Sequence, residues 1–157
     1  MPRYFDGRNQ APSGRFAIVV SRYNESITGK LRDGAVNALL EAGVADGEID
    51  EVWVPGAWEL PLIAHQLATG GGYVAVLCLG AVIRGETTHD QHINRQVSMS
   101  LGQSAVQSGV PIAFGVITCN SLEQAIHRAG GNVGNKGQEC AQAALEMAAL
   151  QRQLRQA

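Results

Sequence analysis

The run Tyr73-Val-Ala-Val-Leu-Cys-Leu79 carries no charged or amide side chain on either alternating set of positions. A strand of that composition has no face to give to water, so it belongs in a sheet covered on both sides. Phe16-Ala-Ile-Val-Val20 and Pro111-Ile-Ala-Phe-Gly-Val-Ile117 read the same way. Ile49-Asp-Glu-Val-Trp-Val54 is more polar and is expected at a sheet edge. Between these runs the apolar period lengthens from strand-like to helical. Ile27, Leu31, Ala35, Ala38 and Leu39 share one helical face, with Gly43 as a stop. Further helices are expected over Leu60–Leu67, with Pro61 tolerated in the first turn, and from about His89 to Gln107. Another starts at the capped stretch Asn120-Ser-Leu-Glu-Gln124 and ends near Gly130, and the last runs from about Asn135 to Leu154. Strands alternating with helices predict an α/β fold, a four-stranded parallel sheet in a three-layer αβα arrangement with right-handed crossovers.

The 157 residues suit one domain, with residues 1–14 as an N-terminal arm and residues 15–154 as the α/β core. A hydrophobic fraction of 45% excludes disorder. No apolar run approaches the roughly 18 residues of a membrane span, and Met1–Gly14 lacks the apolar segment of a signal peptide. A net charge of -2 leaves out the bulk electrostatics for binding nucleic acid or an anionic membrane. Cys78, Cys119 and Cys140 are an odd number, widely spaced and without a C-x-x-C pattern, which fits a reduced, cytoplasmic protein. Two values are unusual. Charged residues are 17% of the chain, against about 25% in typical domains. There are 19 glycines, where roughly 11 would be average. Low charge points to subunit interfaces, and extra glycine to backbone turns that serve ligands.

In open parallel sheets, ligands bind beyond the carboxyl ends of the strands. That rule selects Ser21–Asn24, Pro55–Glu59, Gly80–His89 and Thr118–Asn120. Gly85-Glu86-Thr87-Thr88 precedes a helix, so its N–H groups and hydroxyls either hold an anion at the positive helix end or simply cap it. His89 follows, either a proton carrier near neutrality or a structural hydrogen-bonding group. Tyr23 and Trp58 either stack on a flat heterocycle or pack. Glu59 offers an acceptor to ligand N–H and O–H groups, or a favourable first-turn charge. His89, Asp90 and His92 put two imidazoles on one helical face. With no H-E-x-x-H, cysteine pair or nearby third ligand, a metal site is disfavoured. The segment Arg128–Gly137 is not a phosphate loop, because it lacks Gly-Lys-Ser/Thr and follows a helix. Arg128 and Lys136 remain as cations for an anionic substrate, or as solvated surface charges.

With these loops in view, the chain resembles the lumazine synthase family. The matching stretches are Ile18–Asn24, Val54-Pro-Gly-Ala-Trp-Glu-Leu-Pro61, Leu79-Gly-Ala-Val-Ile-Arg-Gly-Glu-Thr-Thr-His89, Phe114–Thr118, Glu123-Gln-Ala125 and Gly134-Asn-Lys-Gly137, in family order and spacing. The resemblance implies a flavodoxin-like fold and a cofactor-free condensation in riboflavin biosynthesis. Its two small-molecule substrates are 5-amino-6-(D-ribitylamino)uracil and 3,4-dihydroxy-2-butanone 4-phosphate. It implies that Tyr23 and Asn24 meet the pyrimidine, that Ala57, Trp58 and Glu59 hold the ribityl chain, and that Val82 and Ile83 contact the heterocycle. Gly85, Glu86, Thr87 and Arg128 correspond to the phosphate site, His89 to the proton-transfer residue, and Glu139 to an acidic neighbour of that arginine. Phe114, Arg128 and Lys136 would come from a neighbouring subunit. The family further implies a homopentamer or a shell of sixty subunits, and riboflavin synthase as a partner.

Some positions depart from the family pattern. Phe is usual at Tyr23 and frequent at Trp58, an aromatic and an acidic residue usually follow the histidine where this chain has Asp90-Gln91-His92, and Lys is frequent at Asn132. The length of Gly130–Gly137 leans toward a shell, while Pro12 in the arm opposes shell contacts. Two competing readings are a non-catalytic flavin or lumazine binder and a protein whose main role is the shell. His89, Arg128 and Glu59 together argue for the enzyme.

Overall fold

The computed structural model describes residues 1–157. Its centre is a parallel sheet of β1 (Phe16–Ser21), β2 (Ile49–Val54), β3 (Ala75–Ile83) and β4 (Ile112–Cys119), in the order β2-β1-β3-β4. Helices α1 (Glu25–Glu41) and α5 (Lys136–Gln156) cover one face, and α2 (Leu60–Thr69) and α3 (His89–Ser108) the other. A short α4 (Leu122–Arg128) follows β4. The strand pleat divides the core. Phe16, Ile18, Val20, Leu77 and Leu79 pack toward α1 and α5, while Ala17, Val19, Val76 and Cys78 pack toward α2 and α3. All of these are buried, so the uninterrupted apolar runs follow from a sheet with two covered faces. Each large aliphatic side chain so buried contributes about 1.5–3 kcal/mol relative to exposure. No helix is long and apolar enough to cross a membrane.

The polar β2 lies at the sheet edge, as its composition predicts. Asp50 accepts two bonds from Arg15, at 2.9 and 2.8 Å, and one from the Tyr73 hydroxyl at 2.6 Å. Arg32 of α1 donates to Glu51 at 2.9 and 2.6 Å. These charges blunt the exposed edge against pairing with foreign strands.

Two expectations need correction. β3 does not stop at Leu79 but runs to Ile83, with Gly80–Ile83 paired to Val116–Cys119. Gly80 is therefore no loop residue. A Cβ there would stand 3.0 Å from Ser21 Oγ and 3.3 Å from Leu60 Cδ1, so glycine permits close packing inside the strand. β4 likewise extends through Thr118 to Cys119, which moves the start of that loop to Asn120. The Gly130–Gly137 segment contains an antiparallel hairpin, β5 (Ala129–Gly131) and β6 (Gly134–Asn135), with Gly130 and Gly134 at φ 105° and 109°. The N-terminal arm is seated on α5. The Gln153 amide pairs with the Asp6 backbone in both directions, at 3.2 and 2.7 Å, and Gly7 lies so close to the α5 backbone that no Cβ fits.

Candidate active site

Three loops at the carboxyl ends of β1, β2 and β3 enclose a cavity of about 500 Å³. The first is laced between its neighbours. Arg22 N–H and Tyr23 N–H donate to the carbonyls of Val54 and Pro55 at 2.8 and 3.0 Å. Asn24 adopts φ 64°, a left-handed conformation that Asn tolerates, and its Nδ2 donates to the Ala81 carbonyl at 3.1 Å. Tyr23 is thereby held on a fixed backbone while the residue is 74% exposed. In the second loop Trp58 is also mostly exposed, and Glu59 Oε2 accepts from Gly56 N–H at 3.0 Å. Glu59 thus fixes its own turn and still lines the cavity.

The third loop is short because β3 is long. Ala81, Val82 and Ile83 line the cavity from the strand itself, followed by Gly85, Thr87 and His89. Thr87 Oγ1 accepts from His89 N–H at 3.3 Å, whereas Thr88, at the N-cap, makes no side-chain cap bond. The cap is therefore partial: Gln91 N–H donates to the Thr88 carbonyl at 3.0 Å, and of the first three N–H groups of α3 only that of Asp90 is left for an anion. His89 is exposed and its ring has no hydrogen-bond partner within the chain. Glu86 is exposed in the same turn, outside the residues that line the cavity.

The remaining predicted residues gather elsewhere. Phe114, Arg128, Lys136 and Glu139 line a second cavity of about 380 Å³ at the β4 edge, together with Thr118 and Val133. Local capping builds it. Ser121 Oγ accepts from Gln124 N–H at 3.2 Å and Gln124 Oε1 from Asn120 N–H at 2.8 Å, starting the helix that ends at Arg128. Asn135 Oδ1 caps α5 through Gln138 N–H at 3.1 Å, and its Nδ2 donates to the Lys30 carbonyl at 3.0 Å. That places Lys136 and Glu139 in the first turn of α5, beside the hairpin. Burial raises the Cys119 thiol pKa, opposed by the nearby Arg128 charge. The two cavities have no lining residue in common.

The family model for 6,7-dimethyl-8-ribityllumazine synthase matches residues 13–152. The chain belongs to this lumazine synthase family. A curated relative, the 6,7-dimethyl-8-ribityllumazine synthase of Desulfotalea psychrophila (strain LSv54 / DSM 12343), is 49% identical over 150 residues, covering 96% of this chain and 97% of the relative. The four-stranded parallel αβα architecture is the one the lumazine synthase resemblance implies. Sequence reasoning missed Ile93 in the first cavity and Val133 in the second, and met Asp90 only as part of a metal pattern and a family departure. The spacing from His89 to Ile93, one helical turn, was the available signal.

Proposed function

We infer that the chain condenses 5-amino-6-(D-ribitylamino)uracil with 3,4-dihydroxy-2-butanone 4-phosphate to give 6,7-dimethyl-8-ribityllumazine, phosphate and water. The convergence of Tyr23, Trp58, Glu59, Thr87 and His89 on one cavity carries this reading. The Tyr23 ring stacks on the pyrimidine, and Asn24 fixes that loop. Ala57, Trp58 and Glu59 hold the ribityl chain, and Val82 and Ile83 meet the heterocycle from the end of β3. Gly85, Glu86 and Thr87 turn their backbone toward the phosphate at the positive end of α3. The substrate amine attacks the ketone carbon, and loss of water leaves a Schiff base. Removal of a proton from the adjacent hydroxyl-bearing carbon expels phosphate and leaves an enol, which takes up a proton at its terminal carbon to become a methyl ketone. The ribityl-bearing nitrogen then closes the ring on that new carbonyl with loss of water. His89 carries protons in these steps, a contribution of about 10²–10⁴-fold, while positioning of the two reactants supplies more.

Arg128 completes the phosphate site, with Glu139 beside it, and Phe114 and Lys136 close over the heterocycle. These residues line the other cavity, so we assign them to the site of a neighbouring copy. Self-association is supported by the α2–α3 layer. No Asp, Glu, Lys or Arg occurs from Leu60 to Ile83 or from Gln96 to Leu122, yet Leu62, Met99, Val106 and Phe114 are exposed. A homopentamer accommodates both halves, and the short hairpin segment favours its further assembly into a shell of sixty. Riboflavin synthase, which consumes the product, is the expected partner, and the unpaired thiols suit the cytoplasm.

Mixing the two substrates with the purified protein tests the reaction: lumazine absorbance appears in step with released phosphate. Tight lumazine binding without turnover would make the protein a binder instead. Light scattering on the same sample separates pentamer from shell.

A further inference from the structure

We propose that Asp90 and Asn94 form a positioning pair that selects the amine substrate, an inference that rests on the condensation proposed above. Asp90 is the second residue of α3 and lines the first cavity beside His89 and Ile93. Its Oδ1 is shut away from solvent and has no hydrogen-bond partner. Asn94 Oδ1, one helical turn further on, is in the same condition. Residues four apart on a helix lie on one face with their Cβ atoms roughly 6 Å apart. Two acceptor oxygens one turn apart on α3 are thus sealed without a partner, an arrangement that buried polar groups rarely keep. A half-turn of the Asn94 amide removes the conflict, because it exchanges oxygen for NH₂ in the same volume and lets Asn94 donate to Asp90 Oδ1.

Held in this way, Asp90 has one oxygen fixed by α3 and one left for the cavity, since only Oδ1 is sealed. No cation competes for it. The ion pairs of the chain use Asp6, Asp33, Glu48, Asp50 and Glu51. The other cavity carboxylate, Glu59, already spends one oxygen on Gly56 N–H. A free carboxylate oxygen accepts hydrogen bonds and repels anions. The ribitylaminouracil offers amine, ring N–H and hydroxyl donors, whereas the keto-phosphate brings an anion. Asp90 therefore draws the amine substrate into the His89 end of the cavity and keeps the phosphate out of its place.

The test is Asp90→Asn, which preserves size, alongside Asn94→Leu and the double variant. Replacing a charged acceptor should raise KM for ribitylaminouracil about 10- to 100-fold, with kcat little changed and KM for the butanone phosphate unchanged or lowered. Asn94→Leu should move the same KM in the same direction by less, and the double variant should be no worse than Asp90→Asn, because the two residues act through one contact. A wild-type KM for the amine in Asp90→Asn overturns the proposal. So does an equal rise in both KM values with a lowered melting temperature, which marks a merely structural residue. Fluorescence titration with the lumazine product reads the pair without turnover. If the wild-type protein makes no lumazine, the condensation falls, and undiminished product binding by Asp90→Asn would overturn the pair separately.

Discussion

Co-assembling His89→Ala subunits with Arg128→Ala subunits tests whether the working site is shared between copies. His89 lines the cavity at the ends of β1, β2 and β3, Arg128 lines the one at the β4 edge, and the two linings do not overlap. If each site joins one cavity from each of two neighbours, either variant alone spoils every site. His89→Ala removes proton transfer, about 10²–10⁴-fold. Arg128→Ala removes a charge-assisted contact to phosphate, roughly 10- to 100-fold in kcat/KM and expressed mainly in KM for the butanone phosphate. In a ring of equal, randomly placed variants, a site is intact when the copy giving His89 carries the arginine change and the copy giving Arg128 carries the histidine change. Half of a half, or about one quarter, of the sites meet that condition.

The assay is co-expression with two different tags, isolation of assemblies that carry both, and lumazine absorbance at limiting butanone phosphate. Activity should recover to about a quarter of wild type, well above either variant, and fall on both sides of an equal mixture. Activity that is a weighted mean of the two variants at every mixing ratio would refute the reasoning. Each copy would then hold His89 and Arg128 in one site of its own.

Other consequences follow from single contacts. Asn24→Ala should cost about 1–2 kcal/mol, because Ala pays the left-handed penalty that Asn eases and loses the bond to Ala81. Denaturant unfolding checks this, and Asn24→Gly should restore the backbone share alone. Gly137→Ala puts a Cβ against the Leu31 carbonyl where α1 crosses α5, and should destabilise by about 1–3 kcal/mol, visible as a lower melting temperature. Asp50 has its carboxyl pKa held below the ordinary 3.8, first by the Tyr73 hydroxyl and then by Arg15. Below about pH 4 the unfolded chain takes up that proton first, so the stability is present above this range and lost as pH falls through the lower folded value. Asp50→Asn should therefore flatten the acid limb of a stability–pH curve and leave the slope near neutrality unchanged; an identical acid limb would exclude the role.

What could be read from the sequence depended on whether its physical cause was local. The apolar runs of β1, β3 and β4 and the polar edge strand β2 announce themselves because burial on one or both faces is written in residue type at each position. The capped start at Ser121 was equally local, a side chain meeting an N–H three residues on. Gly80 was misread because its reason is remote: it accommodates Ser21 and Leu60, which local composition does not bring together. The hairpin at Gly130 and Gly134 escaped for a related reason, since glycine signals a turn without saying which backbone pairs across it. The site obeyed the same division. Rules about strand ends found Tyr23, Glu59 and His89, whereas only the fold shows that Phe114, Arg128, Lys136 and Glu139 line a different cavity. Composition held the complementary clue. The chain has 17% charged residues, and they are unevenly spread: the α1–α5 layer carries many, while the long uncharged stretches fall on α2, β3, β4 and most of α3. Uncharged stretches that expose Leu62, Met99 and Val106 are poorly suited to water and support the proposed packing against another copy. That uneven charge and the separated cavities are independent observations, one of surface chemistry and one of side-chain placement, and both support the proposed sharing of each site between neighbouring subunits.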